Sequence, residues 1–124
     1  MFHAIIIEES LVRPEVLKNY KILRTKDSKR ENWHLHIVEI PEPEKAIPEF
    51  QAAMVGDRPY YFHIFDEGKI LIVVFKDKVF YLDPNDKITW KDARAFGAGK
   101  LNIPSEQLDF YPTRISEEDV WINR

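Results

Sequence analysis

The chain contains no cysteine. That excludes a disulfide framework, a thiolate zinc site and a thiol nucleophile, and it fits a reducing compartment. Glycine is scarce, with 4 residues in 124, and none is arranged as a phosphate-cradling loop opening a helix. Gly97-Ala98-Gly99 follows an expected helix and reads as its stop. The four serines Ser10, Ser28, Ser105 and Ser116 lack the G-x-S-x-G setting of a nucleophile elbow. These absences speak against the motif-bearing ATPases, hydrolases and dehydrogenases.

Long hydrophobic runs are missing too. The longest, Ile70–Phe75, falls far short of the roughly 18 residues that suggest a membrane span. The N-terminal apolar run Ala4–Ile7 ends at Glu8 and Glu9 with no basic residue ahead of it, unlike a secretory leader. A cytoplasmic protein with no membrane contact is the expectation. Basic charge is not concentrated either. Eighteen Lys and Arg face 21 Asp and Glu, for a net charge of −3. The one basic cluster, Lys26, Lys29 and Arg30, is broken by Asp27 and followed by Glu31. Nucleic-acid binding draws on a dense basic surface, so no nucleic-acid partner is expected.

What is present is the composition of one globular domain, 44% hydrophobic and 31% charged, long enough to bury most of its apolar surface unaided. Phe2–Glu8 predicts a strand, since Ile5, Ile6 and Ile7 are β-branched. Its unbroken apolar run suggests burial on both faces and a central position. Arg13-Pro14 suits a helix start, followed by Val16, Leu17 and Tyr20 at helical spacing. Lys21–Thr25 predicts a weak strand, Lys26–Glu31 a loop, and Trp33–Ile40 a stronger strand. Ile47, Phe50, Ala53 and Met54 share one face of a helix expected to begin near Lys45, with Pro48 in its first turn. Tyr60–Phe65, Lys69–Phe75 and Lys78–Leu82 predict a meander turning at Asp66-Glu67-Gly68 and Lys76-Asp77. Thr89 with Asp92 resembles a capping box for a short helix through Trp90, Ala93 and Phe96. Beyond Gly99 the chain reads as irregular. Ser116 is expected to cap a last turn, and Leu108, Phe110, Val120 and Trp121 are expected to pack on the body.

The order points to a single α+β domain spanning residues 1–124. It is an antiparallel sheet of ferredoxin-like βαββαβ order, extended by a C-terminal β-meander and a short helix. Right-handed crossovers would place the first and third strands in the middle. The rival is a sheet with the meander at its centre. Helices in either arrangement cover one face, so the other must meet solvent, the C-terminal tail or a second subunit.

Two constellations carry chemistry. His34 and His36 form an H-x-H pair on one strand face, and antiparallel pairing would bring Glu8 or Glu9 beside His34. His63 is a further candidate for that face, whereas His3 would lie at the opposite end. Imidazoles and a carboxylate suit divalent first-row metals, but H-x-H is common. The plainer reading, half-buried strand residues, carries more weight, so no metal and no cofactor is assigned. The second constellation is aromatic: Trp33, Tyr60, Tyr61, Phe62 and Phe65, with Phe75, Phe80 and Tyr81. Tyr61, His63 and Phe65 share one face, and Tyr60, Phe62 and Ile64 the other. One of these faces must be core; the other is a candidate pocket wall or dimer interface. Arg58, near Asp57, Asp66 and Glu67, is a candidate anion contact.

The function expected is a non-catalytic module that binds a small molecule or a protein through an aromatic-rich sheet face, in a homodimer. Its candidate binding residues are His34, His36, His63, Tyr61, Trp33, Glu9 and Arg58. The alternative is a small enzyme using the strand histidines and a carboxylate as acid–base or metal-binding groups.

Overall fold

A computed structural model describes residues 1–29, 31–56 and 58–124. Arg30 of the basic cluster and Asp57 beside Arg58 lie outside the described residues. The chain is α+β. Six strands, β1 (Phe2–Ile7), β2 (Ile22–Ser28), β3 (Trp33–Ile40), β4 (Tyr61–Phe65), β5 (Leu71–Phe75) and β6 (Lys78–Leu82), form one open sheet in the order β2-β3-β1-β4-β5-β6. Every neighbouring pair is antiparallel. β1 lies between β3 and β4, and the last two strands extend the sheet to its far edge.

β1 is buried along nearly its whole length, as its apolar run implies, because both faces are covered. The same is true of β4 and β5. One face carries Ala4, Ile6, Val38, Ile40, Phe62, Ile64, Ile72 and Val74, packed against α1 (Pro43–Ala53) and the turn at Pro14–Asn19. Ala46, Ile47, Phe50 and Ala53 recur at helical spacing and form the buried stripe of α1. The helix starts at Pro43, two residues before the expected Lys45, so Pro48 falls in its interior. There it removes one intrahelical N–H, and it stands on the exposed side of the helix.

Two other local expectations change. The segment after Arg13-Pro14 is a 3-10 turn, Pro14–Asn19, and not an α-helix. Lys26, Asp27 and Ser28 are not loop: β2 continues through them, paired with Leu35, His34 and Trp33. Charge misleads at this point because β2 is an edge strand, whose outward side chains are solvated.

The reverse face is covered by residues beyond β6. A 3-10 turn (Lys87–Trp90) leads into α2 (Lys91–Ala95), which runs on as a π turn over Phe96–Lys100. The stop expected at Gly97 therefore does not occur. Gly97 is instead buried, and a Cβ there would lie 2.8 Å from Leu108. Asp86, not Thr89, caps the first of these turns by accepting from the Ile88 N–H. The tail ends in α3 (Glu118–Ile122). Its preceding turn is capped by Glu117, which accepts from the Thr113 and Arg114 N–H groups, while Ser116 bonds Glu67. Trp90, Ala93, Ile103, Leu108 and Phe110 pack on Leu71, Val73 and Phe75. Trp121 packs on Ile5, Ile37 and Phe65. Leu108, Phe110 and Trp121 are buried as expected, whereas Val120 is exposed. No helix among the described residues is long and apolar enough to cross a membrane.

Candidate functional site

The sheet separates the predicted histidines. Residues paired across an antiparallel ladder point to the same face. His36 pairs with Ile6, on the α1 side, and His63 pairs with Ile5, on the reverse side. His34 alternates with His36 and shares its face. The expectation that His63 joins the H-x-H pair is therefore overturned by strand parity. His3, paired with Glu39 at the other end of β3, is remote from His34 as expected. Its Nδ1 meets Glu118 Oε2 at 2.6 Å, both residues being buried.

On the reverse side the tail does not seal the sheet completely. A cavity of about 240 Å³ remains between the sheet and the residues of the tail. Ile5, Ile7, Trp33, Leu35, Tyr61 and His63 line it from the strands, with Tyr60 just ahead of β4. Tyr111 and Trp121 line it from the tail, and Lys26, Glu31, Asp109 and Arg124 add charge. Trp33, Tyr61 and His63 of the predicted set thus come together. His34, His36 and Glu9 stand on the other face. Arg58 is exposed and is not a lining residue, although its neighbour Pro59 is.

The polar groups of the cavity are anchored. His63 Nε2 lies 2.8 Å from the Pro112 carbonyl. A carbonyl only accepts, so Nε2 carries the proton and Nδ1 is the acceptor nitrogen of the neutral ring. Burial pushes the His63 pKa down to about 4, against smaller upward effects of the Pro112 carbonyl and Asp109. The imidazole is therefore neutral at physiological pH. Its ring stacks on Phe65 with centroids 5.2 Å apart. Tyr61 donates its hydroxyl proton to the Gln107 carbonyl, and burial holds its pKa well above the ordinary tyrosine value. Its ring meets Phe110 edge-on.

Trp33 and Tyr60 meet edge-to-face at 5.8 Å. The Lys26 ammonium donates to the Trp121 carbonyl at 2.7 Å and lies 4.8 Å from the Trp121 ring centroid. Burial, then the nearby Arg124 charge, lowers the Lys26 pKa. Arg124 lies over the Tyr111 ring and 3.7 Å from Asp109. The cavity is thus an aromatic and aliphatic chamber with a neutral imidazole and paired charges among its lining groups.

Sequence reasoning missed the tail's share: Tyr111, Trp121, Asp109 and Arg124. The apolar tail residues marked it as packed, but nothing local says which strand face an irregular segment covers.

The α1 side holds the other predicted groups. The turn Glu8–Ser10 follows β1 directly, and the β1–β3 register sets it beside the start of β3. Glu9 accepts from the His34 backbone N–H at 2.8 Å and lies 2.6 Å from His34 Nδ1. Burial raises the Glu9 pKa, but the His34 hydrogen bonds outweigh it and leave the carboxyl below its ordinary value. The same bond raises the pKa of His34. His36 Nε2 lies 2.8 Å from Glu8 Oε1, and Thr25 Oγ1 lies 2.9 Å from His36 Nδ1.

Comparison of the chain with protein-family models, with curated proteins and with solved structures gave no match.

Proposed function

We propose that this chain is a small-ligand-binding module whose ligand occupies the cavity between the reverse sheet face and the C-terminal tail. The observation that carries the reading is the cavity itself: about 240 Å³, lined by Trp33, Tyr61, His63, Tyr111 and Trp121. Binding sites are concave and mostly apolar, with a few placed polar groups that fix orientation. A volume this size suits a compact, flat molecule of one or two rings. Aromatic walls favour a planar apolar body. The acceptor nitrogen of His63 favours a ligand that offers one hydrogen-bond donor.

The strand order supports reading β1 to β4 as a ferredoxin-like core. The two connecting segments lie on one side, and β5 and β6 extend the edge beyond β4. The reverse face in this reading is the binding face, and the tail completes the site. The tail also occupies the surface through which a homodimer was expected to pair, so self-association would have to use another surface. An enzyme built on His34, His36 and His63 together is not favoured, since the sheet stands between them.

The test is a fragment screen by protein-observed NMR on the full chain. Ligands of the expected class shift the Trp33 and Trp121 indole signals and the His63 ring. A Leu35→Trp variant, which fills the chamber, abolishes those shifts while its thermal midpoint stays close to wild type. Fragments that shift only residues of the α1 side would sink the reading.

A further inference from the structure

We infer a second site, on the opposite face: Glu8, Glu9 and His34 form a binding site for one divalent first-row transition metal. This does not depend on the cavity being a ligand site. One ligand atom from each of the three residues lies within 4.8 Å of the others. Donors about 2 Å from a metal lie about 3 to 4 Å from each other, so small side-chain shifts bring the three onto one ion, which would replace the 2.6 Å hydrogen bond now joining His34 Nδ1 to Glu9.

The donor set is specific in kind. Two carboxylates and one imidazole suit Zn²⁺ or Mn²⁺; Ca²⁺ takes more ligands, all of them oxygen. Three protein ligands also leave coordination positions open to water or substrate.

The second ring of groups matches what metal sites use to orient their ligands. A metal-bound histidine usually donates its other ring N–H to a carboxylate. His34 Nδ1 faces Glu9 and is the nitrogen that would meet the ion, while its Nε2 lies 3.8 Å from Asp27 Oδ1, an ion-pair distance that must shorten for a hydrogen bond to form. Glu8 is held from behind by His36, whose own second nitrogen meets Thr25. His36 therefore serves as a positioning residue, not as the ligand that the H-x-H pattern suggests. Its side chain is buried to about nine-tenths, which fixes the Glu8 carboxylate from the protein side. Glu9 is fixed in turn by the His34 backbone N–H.

The charge balance agrees. Glu8, Glu9 and Asp27 place three carboxylates around two imidazoles, and a divalent cation offsets that excess. The side chains of His34 and Glu8 are about half exposed, so an ion has direct access. The site lies where β1 runs into its following turn, so its ligands come from two neighbouring segments of backbone.

Calorimetric titration of the full chain with ZnCl₂ and with MnCl₂, at neutral pH and in a non-chelating buffer, tests this. The expected result is one ion per chain for at least one of the two metals. His34→Ala and Glu9→Gln should each weaken it about tenfold or more, and Asp27→Asn by a smaller factor. Asp92→Asn, an exposed carboxylate on the reverse side, should leave it unchanged. Circular dichroism melts of the variants separate lost ligands from lost folding, and His34 and Glu9 lie near enough to the surface for both variants to fold. In a long-range ¹H–¹⁵N spectrum the His34 ring nitrogens should move on metal addition while those of His63 stay. No uptake of either ion at about 1 mM, or uptake undiminished in His34→Ala and Glu9→Gln, overturns the proposal.

Discussion

The two faces of the sheet are covered in different ways. On one, a regular helix lays an aliphatic and aromatic stripe on the strands, and the buried residues Ala46, Ile47, Phe50 and Ala53 fill it. On the other, a segment more than forty residues long, built of short helical turns joined by irregular stretches, does the same work with isolated large side chains, Trp90, Phe110 and Trp121. It is fastened by polar contacts near its C-terminal end: Glu67 to Ser116, His3 to Glu118, Arg24 to Asp119 and Lys26 to the Trp121 carbonyl. A helix presents side chains at a constant spacing, so it can match the pleat of a sheet without gaps. An irregular cover meets the sheet at a few points and leaves room between them. The cavity lies in that room.

The largest expected effect tests this contrast in packing. Phe50→Ala, at a fully buried position on α1, should cost about 3 to 5 kcal/mol in a urea melt. Trp121→Ala should cost less, because the chamber beside it already interrupts the packing. Equal losses would break the comparison. Hydrogen exchange sharpens it: amides of α3 should open at lower free energy than those of β1.

The next effect concerns the two kinds of histidine. His63 has its folded pKa pushed down to about 4 by burial, below the value near 6.5 of an exposed imidazole. Its neutral form is thus favoured by folding. The associated stability is fully present above about pH 6.5 and is lost as pH falls toward 4, by about 3 kcal/mol in all. His34 behaves oppositely. Its pKa is raised by Glu9, so its contribution is present below about pH 6.5 and is lost as pH rises through the folded value. An NMR titration should show His34 changing charge above pH 6.5, with His63 unchanged until strongly acid conditions. His63→Gln should flatten the loss of stability between pH 6.5 and 4.

A smaller effect is expected at Gly68. Its φ of +89° sits in the turn between β4 and β5, and an added Cβ would lie 2.7 Å from the Arg114 guanidinium. Gly68→Ala should cost about 1 to 2 kcal/mol through backbone strain. The smallest change is expected for Arg24→Ala, which removes an exposed pair with Asp119 and should cost under about 1 kcal/mol.

Much of this contrast was legible beforehand, and the reasons lie in particular residues. Ile5, Ile6 and Ile7 have no polar residue between them, which requires cover on both faces of β1. The alternation Trp33-His34-Leu35-His36 marks the stretch of β3 where the two faces diverge in character, and both candidate sites lie beside it. Strand parity predicted that Tyr61, His63 and Phe65 share a face. It could not say whether His34 shares that face, because that depends on the β1 registers with β3 and β4, which no local pattern encodes. The course of the tail was illegible for a similar reason: Tyr111 and Trp121 reach the cavity through long-range packing, and a segment without periodicity carries no signal of direction. Lys26–Ser28 misled because polar edge strands and loops have the same composition.

We propose that this protein meets its ligand in the chamber under the tail. The most direct measurement is ligand-soaked crystallography or NMR mapping with a library of small planar compounds carrying one hydrogen-bond donor. Occupancy between Trp33, Tyr61, His63 and Trp121, lost in Leu35→Trp, is the predicted result. A chamber that stays empty against the whole library, with compounds settling elsewhere on the surface, would contradict it.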